Sequence, residues 1–347
     1  MNARDLYERC AGEMEDYWGR RLHAPRFERR IEVFGRLVEV VSNDETALAA
    51  LDVCTVRFST APVGESRQYA VQLIVSAAPA DPGPVPEALS DLLHNVGEGT
   101  SVCIRAGNWG MASVDMAQRS AFLIVEPRLA ARPDLLANCL LNTVLLNLFI
   151  GDGLAMLHAS CLRRGEDTLL LLAPHNAGKS TTALRLVHGG YQLFTDSMVF
   201  AELCEQNVRL HGMPVARVKL RRDMVGAFAQ LQPFLEAEQV RGETKYGVDL
   251  RAFNPGMVHT ESIVPGRLEI CLLQRREGAA SGLAPARREE VEEAVMRNSL
   301  FFDTFKTWQG NLEVLQRLVE KARWHHLYIG ADVDSIVETV DSLWQEA

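Results

Sequence analysis

Leu169–Leu172, followed after a short loop by Gly178-Lys179-Ser180-Thr181-Thr182, constrains the chain more than any other stretch. A continuous apolar run of this kind predicts a strand covered on both faces, as in a parallel sheet. Gly178 to Thr182 open a predicted helix with Leu184 and Val187 on one side, and Gly189-Gly190 stop it. A second apolar strand, Tyr191 to Phe194, is predicted to end at Asp196. Strand, loop, helix and strand with Gly-Lys-Ser at the helix start is the layout of a phosphate-binding P-loop.

The chemistry explains the residue types. Unpaired backbone N–H groups at a helix N-terminus favour an anion. Lys179 adds a point charge for the β- and γ-phosphates, Ser180 a hydroxyl for Mg2+, and Asp196 a carboxylate at the same edge of the sheet. The strict pattern has glycine where this chain has Ala173, and Asn176 takes another loop position. A chance helix start, and a P-loop shape without tight nucleotide binding, are the competing interpretations.

The chain has 347 residues, 47% of them hydrophobic, which is enough for two domains or one large one. A net charge of -9 argues against a general nucleic-acid or membrane-surface binder. Seven scattered cysteines, none spaced C-x-x-C, read as free thiols in a reducing cytoplasm. The charged amino terminus lacks a signal-peptide core, and Leu135 to Ile150 reads as a core helix too short to span a bilayer.

Residues 3 to 22 are predicted helical, and Ile31–Val41, Val53–Phe58, Tyr69–Ser76, Val102–Ile104, Met111–Val114 and Ala121–Val125 are predicted strands. Ala78–Pro86 reads as an exposed loop. This gives an α+β portion over 1–128, a packing or partner-recognition module, before an α/β domain over 133–347. Leu154–Leu162 and the Leu169 strand form a predicted hairpin that carries His158. Arg287–Glu293 reads as a solvated helix face. His325 and His326, adjacent on a strand, point to opposite faces and do not share a metal.

The run HASCLRRG followed by LLLLAPHNAGKSTTALRLVHGGYQLFTDSMV resembles the catalytic domain of HPr kinase/phosphorylase and its relatives, among them the branch called kinase B. The resemblance covers about residues 133–345, with weaker matches at Val208–Val215, Leu268–Leu273 and Leu327–Leu343. It implies an HPr-kinase-like fold using ATP and Mg2+. Asn176, Ala177, Gly178, Lys179, Ser180 and Thr181 would hold the nucleotide, and Ser180 and Asp196 the metal. Asp196 would be the base toward an acceptor hydroxyl, with His158 near the reacting phosphate. Lys245, in the predicted polar turn GETKYGVDL, is a further candidate for phosphate or acceptor contact, with Arg209 and Lys219 behind it. A homo-oligomer is the oligomeric state the resemblance makes reasonable.

The departures are specific. Ser197 replaces a second aspartate and Arg209 a metal-binding glutamate, for which Glu202 or Glu205 are the available substitutes. The expected function is an ATP-dependent kinase acting on a hydroxyl, on a serine of a small protein or on a metabolite. The alternative is a catalytically weak nucleotide-binding protein on the same fold, acting as a sensor or interaction module. Reversible phosphorolysis is disfavoured by the altered metal site.

Overall fold

In the computed structural model, residues 8, 18–19, 24–62, 68–77, 81–87, 89–174, 177–240, 243–276, 278, 280–299, 305–332 and 335–345 are described. The helix predicted over 3–22 lies almost wholly outside them. Contacts divide the mixed α/β chain into two compact units, 1–154 with 301–311 and 155–300 with 312–347.

The first unit is built on β1 (Phe27–Val33), β2 (Arg36–Ser42), β3 (Gln68–Val75), β4 (Leu93–Glu98), β5 (Ser101–Ala106), β6 (Gly110–Asp115) and β7 (Ser120–Val125). They form one sheet in the order β1-β2-β3-β7-β6-β5-β4. The β2–β3 and β3–β7 pairs are parallel. A parallel pair needs a crossover, and α1 (Glu45–Thr55) supplies it between β2 and β3. Here the structure corrects the strand predicted over Val53–Phe58, most of which ends α1 or follows it. The Asp44 carboxylate accepts from the Thr46 and Ala47 amides, and Ala47, Leu48, Ala50, Leu51 and Cys54 bury one face. That cap and helical spacing outweigh the β-branched residues at the end of the run.

The long apolar helix α2 spans Pro133–Ile150, with a π-helical stretch over Leu136–Leu141. It is long and apolar enough by composition to cross a membrane, which the sequence did not predict, yet 72% of it is buried in the packing. It lies against β6 and β7, so the contact division falls at 154, beyond the boundary expected near 128–133.

The second unit carries β8 (Ala155–Leu157), β9 (Ser160–Arg164), β10 (Asp167–Leu172), β11 (Gln192–Cys204), β12 (Asn207–Val215), β13 (Arg217–Arg221), β14 (Glu236–Val240), β15 (Glu243–Asp249), β16 (Arg267–Arg275), β17 (Gly282–Pro285) and β18 (Arg323–Ile329). The main sheet runs β12-β11-β9-β10-β16-β18-β17, with β8 beside β11, and β13-β15-β14 form a small separate sheet. The β10–β16 and β16–β18 pairs are parallel, and β11, two antiparallel steps from β10 through β9, runs in the same direction, so the carboxyl ends of β10, β16 and β18 share one edge. The four leucines of β10 are fully buried, as predicted from the unbroken apolar run. Helix α3 (Lys179–His188) covers one face through Ala183, Leu184, Leu186 and Val187, packing on Leu169, Leu171, Cys271, Leu273 and Leu327.

Two predicted boundaries move. The strand expected to stop at Asp196 continues as β11 to Cys204. GETKYGVDL is not a turn: Glu243–Asp249 is the central strand of the small sheet, with Gly247 and Val248 buried between its neighbours. The Arg288–Asn298 helix is solvated as predicted, with exposed Arg288–Glu292 and Arg297–Glu293 pairs. His325 bonds buried Glu269 and His326 bonds Glu290, on separate partners.

Candidate functional site

The site forms where β11 breaks its regular pairing. Thr195 opposes Val215 and Met198 opposes Met213, so Asp196 and Ser197 together face Pro214 alone. Two residues against one is a β-bulge, and proline has no N–H to donate to the ladder at that point. The Pro214 carbonyl instead accepts from the Thr195 hydroxyl at 3.0 Å. On the other side of β11, β8 pairs with 199–201 and β9 with 192–195, leaving His158 and Ala159 between them. The predicted single strand over Leu154–Leu162 is therefore two strands, and its interruption lies opposite the bulge.

Lys179 and Ser180 enter this gap from the first turn of α3. The preceding Gly178 has φ +105°, a conformation that L side chains rarely adopt, and it caps the helix without a side chain. Ser180 hydrogen-bonds the Asp196 carboxylate, and the Lys219 backbone amide also donates to it. The Ser160 hydroxyl, at the first residue of β9, donates to Asp196 Oδ1 at 2.5 Å. Lys179 Nζ donates to the His158 carbonyl at 3.4 Å.

Burial sets the proton affinities of this pair. Loss of water raises the Asp196 carboxyl to about 6, against the opposing bonds from Ser160 and Ser180 and the charge of Lys179. Burial likewise lowers the Lys179 ammonium to about 8, although the Asp196 charge holds it up. A buried carboxylate that titrates close to neutrality can accept a proton from a hydroxyl, while the ammonium beside it places positive charge near an anion.

Lys179, Ser180 and Asp196 are thus brought together, and the structure adds Ser160. Nothing in its local sequence separates Ser160 from a core serine; only the β9–β10 and β9–β11 pairings carry it to the Asp196 edge. His158 contributes its backbone: its carbonyl receives Lys179, and its amide donates to the Asn298 carbonyl at 2.6 Å. The His158 side chain is exposed. Ala177 is half-buried against the core, and its N–H donates to the Pro174 carbonyl at 3.2 Å, within the loop. Thr181 is half-buried in the first turn of α3, and Asn176 lies outside the described residues.

Ala173 is only 4% exposed and is absent from the residues with positive φ, so the backbone at that position does not demand the glycine of the strict motif. Arg209 and Glu202 are paired across β11 and β12, with Arg209 Nη1 and Glu202 Oε1 at 3.3 Å. Glu202 is six residues beyond Asp196 on β11, roughly 20 Å along a strand. This corrects the expectation that Arg209 contacts phosphate or that Glu202 substitutes in a metal site; Glu205, in the turn after β11, lies farther along still. Glu202 instead accepts from the buried His211, which also bonds Ser262 at 2.6 Å. The Lys219 side chain is paired with Glu238 at 2.9 Å. Lys245 is half-buried on β15 opposite Arg221, and among the described residues it has no hydrogen bond or ion pair to Lys179, Ser180 or Asp196.

Among the described residues no group of three or more His, Cys, Asp or Glu side chains is gathered to hold a metal. Ser180 and Asp196 nevertheless present two hard oxygen donors in mutual contact, which suits Mg2+ completing its shell with water and phosphate oxygens.

A scan against protein-family models finds no match. A search of curated proteins likewise finds no relative. Among solved structures the chain is similar to the HPr(Ser) kinase/phosphatase from Coxiella burnetii, with a TM-score of 0.27 and 10% sequence identity, over 55% of this chain and 99% of that one. At that score the similarity assigns neither family nor activity to this chain.

Proposed function

We propose that the second unit is a P-loop phosphotransferase domain that moves the γ-phosphate of ATP to a hydroxyl. The observation that carries this is the convergence of Lys179, Ser180 and Asp196 at the carboxyl edge of the parallel strands, beside a helix start turned by Gly178. A phosphoryl donor needs its oxygens neutralised, and Lys179 with the first-turn amides of α3 supplies positive charge there. Ser180 and Asp196 would hold Mg2+, which when bound neutralises β- and γ-phosphate oxygens. Asp196 accepts the proton of the attacking hydroxyl; Ser160 and the Lys219 amide hold its carboxylate in place. Ser160 is therefore a positioning residue, with no contact to the reacting atoms required of it.

The acceptor is a serine of a small protein or a metabolite hydroxyl, and the first unit serves packing or partner recognition. A cytoplasmic, homo-oligomeric kinase is consistent with this proposal. The test follows ATP by 31P NMR with the full chain and Mg2+, comparing the natural protein with Asp196→Asn. With water standing in for the hydroxyl acceptor, formation of ADP and inorganic phosphate by the natural protein, at least about 100-fold slower in the variant, is the expected result, in line with the usual contribution of a general base. Equal rates would remove Asp196 from the chemistry.

One observation favours a second reading, a nucleotide-binding protein with little turnover. The second carboxylate expected of the metal site is missing: Ser197 occupies the next position, and Glu202 is committed to His211 and Arg209. In that case MgATP binds without ADP appearing.

A further inference from the structure

Strand β16 outruns β10. Leu172, the last residue of β10, is opposite Leu272, and β16 continues through Leu273 and Gln274 to Arg275, opposite Ile329 at the end of β18. Three residues are roughly 10 Å of strand, so Arg275 lies that far beyond the carboxyl end of β10. Side chains alternate along a strand, so Arg275 shares its face with Cys271 and Leu273, the face that α3 covers.

The guanidinium consequently lies against the loop–helix junction. A Cβ placed on Gly178 would stand 3.8 Å from Arg275 Nη2 and 3.9 Å from its Nε. Neighbouring arginines are engaged elsewhere: Arg267 pairs with Glu269, and Arg276 stands over the Tyr328 ring. The Arg275 side chain is exposed and, among the described residues, makes no hydrogen bond, ion pair or ring contact. In a chain of net charge -9, a guanidinium without a carboxylate partner beside a positive helix terminus has its donors open to solvent where an anion would be received.

We propose that Arg275 is a second phosphate-contacting cation of this site, donating its N–H groups to the terminal phosphates of a nucleoside triphosphate on the side opposite Lys179. This rests on the phosphotransferase reading above and goes beyond it by adding a residue that the loop motif does not contain. During transfer the acceptor oxygen bonds to the γ-phosphorus, and the bond from that phosphorus to the β–γ bridging oxygen breaks. The electron pair stays on the diphosphate, and the hydroxyl proton goes to Asp196. Charge therefore grows on the leaving diphosphate, where a planar two-pronged donor is more effective than an ammonium. Recognition is of the phosphates and not of the base, so inorganic tripolyphosphate competes with ATP.

The test is calorimetric titration of the full chain with MgATP and with inorganic tripolyphosphate, in natural protein, Arg275→Gln, Arg275→Lys and the adjacent control Arg276→Gln. Thermal unfolding establishes that each variant is folded, and Arg275→Lys keeps the experiment informative if the glutamine variant is not. Both ligands are expected to bind roughly 10- to 100-fold more weakly to Arg275→Gln, the loss of a charged hydrogen bond. Arg275→Lys is expected to be intermediate, and Arg276→Gln unchanged. Natural protein that binds MgATP with equal affinity in Arg275→Gln overturns the Arg275 assignment and leaves the phosphotransferase reading standing. Equal weakening in Arg276→Gln also overturns it, since net charge alone would then account for the effect. Failure of the natural protein to bind MgATP overturns both.

Discussion

Ser160 donates its hydroxyl to Asp196 Oδ1 at 2.5 Å from the adjacent strand, with both residues buried. The bond is charge-assisted only while Asp196 is ionised. Ser160→Ala is therefore expected to destabilise the protein by about 1–2 kcal/mol at pH 8, and by less at pH 4.5, where the carboxyl is protonated. Urea unfolding at the two pH values checks this. An equal loss at both would mean that Ser160 only fills space.

Asp196 itself costs stability when ionised. Its carboxyl is raised to about 6 in the folded protein, so between the unfolded value near 4 and pH 6 the native state holds the proton more tightly. Stability from this group consequently falls as pH rises through that window and stays low above it. In metal-free protein, Asp196→Asn is expected to be more stable than the natural chain by on the order of 2 kcal/mol at pH 7, with the gap closing toward pH 4. Lys179 acts with the opposite slope at higher pH: lowered to about 8, it releases its proton on folding, and stability from it rises from about pH 8 toward its unfolded value.

Two loop substitutions separate backbone demand from motif agreement. At Gly178 a Cβ would meet only ordinary contacts, the nearest being Ile329 Cδ1 at 3.7 Å, so the φ of +105° is the main cost of Gly178→Ala. A loss of about 1–3 kcal/mol in thermal or urea unfolding, with weakened MgATP binding, is expected. Ala173→Gly restores the strict motif but removes a buried methyl where no positive φ is needed. It is expected to lower stability by about 1 kcal/mol and leave MgATP affinity unchanged.

Glu202 offers a remote control. Glu202→Gln is expected to leave the Mg2+ dependence of ATP binding intact, because its carboxylate is bonded to His211 and Arg209 and lies far along β11. A shift in that dependence would place Glu202 at the metal after all.

Much of the second unit was legible because its signals are local. The apolar run of β10, the Gly-Lys-Ser helix start and the Gly189-Gly190 stop each declare themselves within a few residues. Ser160, Arg275 and the Lys219 amide were not legible, because they reach the site through pairing registers, which a single chain does not print. The bulge at Asp196 was hidden for a related reason: it depends on Pro214 lying opposite, a residue from the next strand. Lys245 was misplaced because Gly-Glu-Thr-Lys suggests a turn, whereas burial of Gly247 and Val248 between two partner strands makes it a strand. In the first unit, the Val53–Phe58 error came from weighing β-branched residues over the Asp44 cap.

The most direct measurement is calorimetric titration of ATP into the 347-residue chain, with and without Mg2+, alongside Lys179→Ala. Mg2+-dependent binding in the natural protein that disappears in folded Lys179→Ala is the predicted result. Binding of equal strength in the variant, or none in the natural protein, would contradict the assignment of Lys179, Ser180 and Asp196 to a nucleotide site.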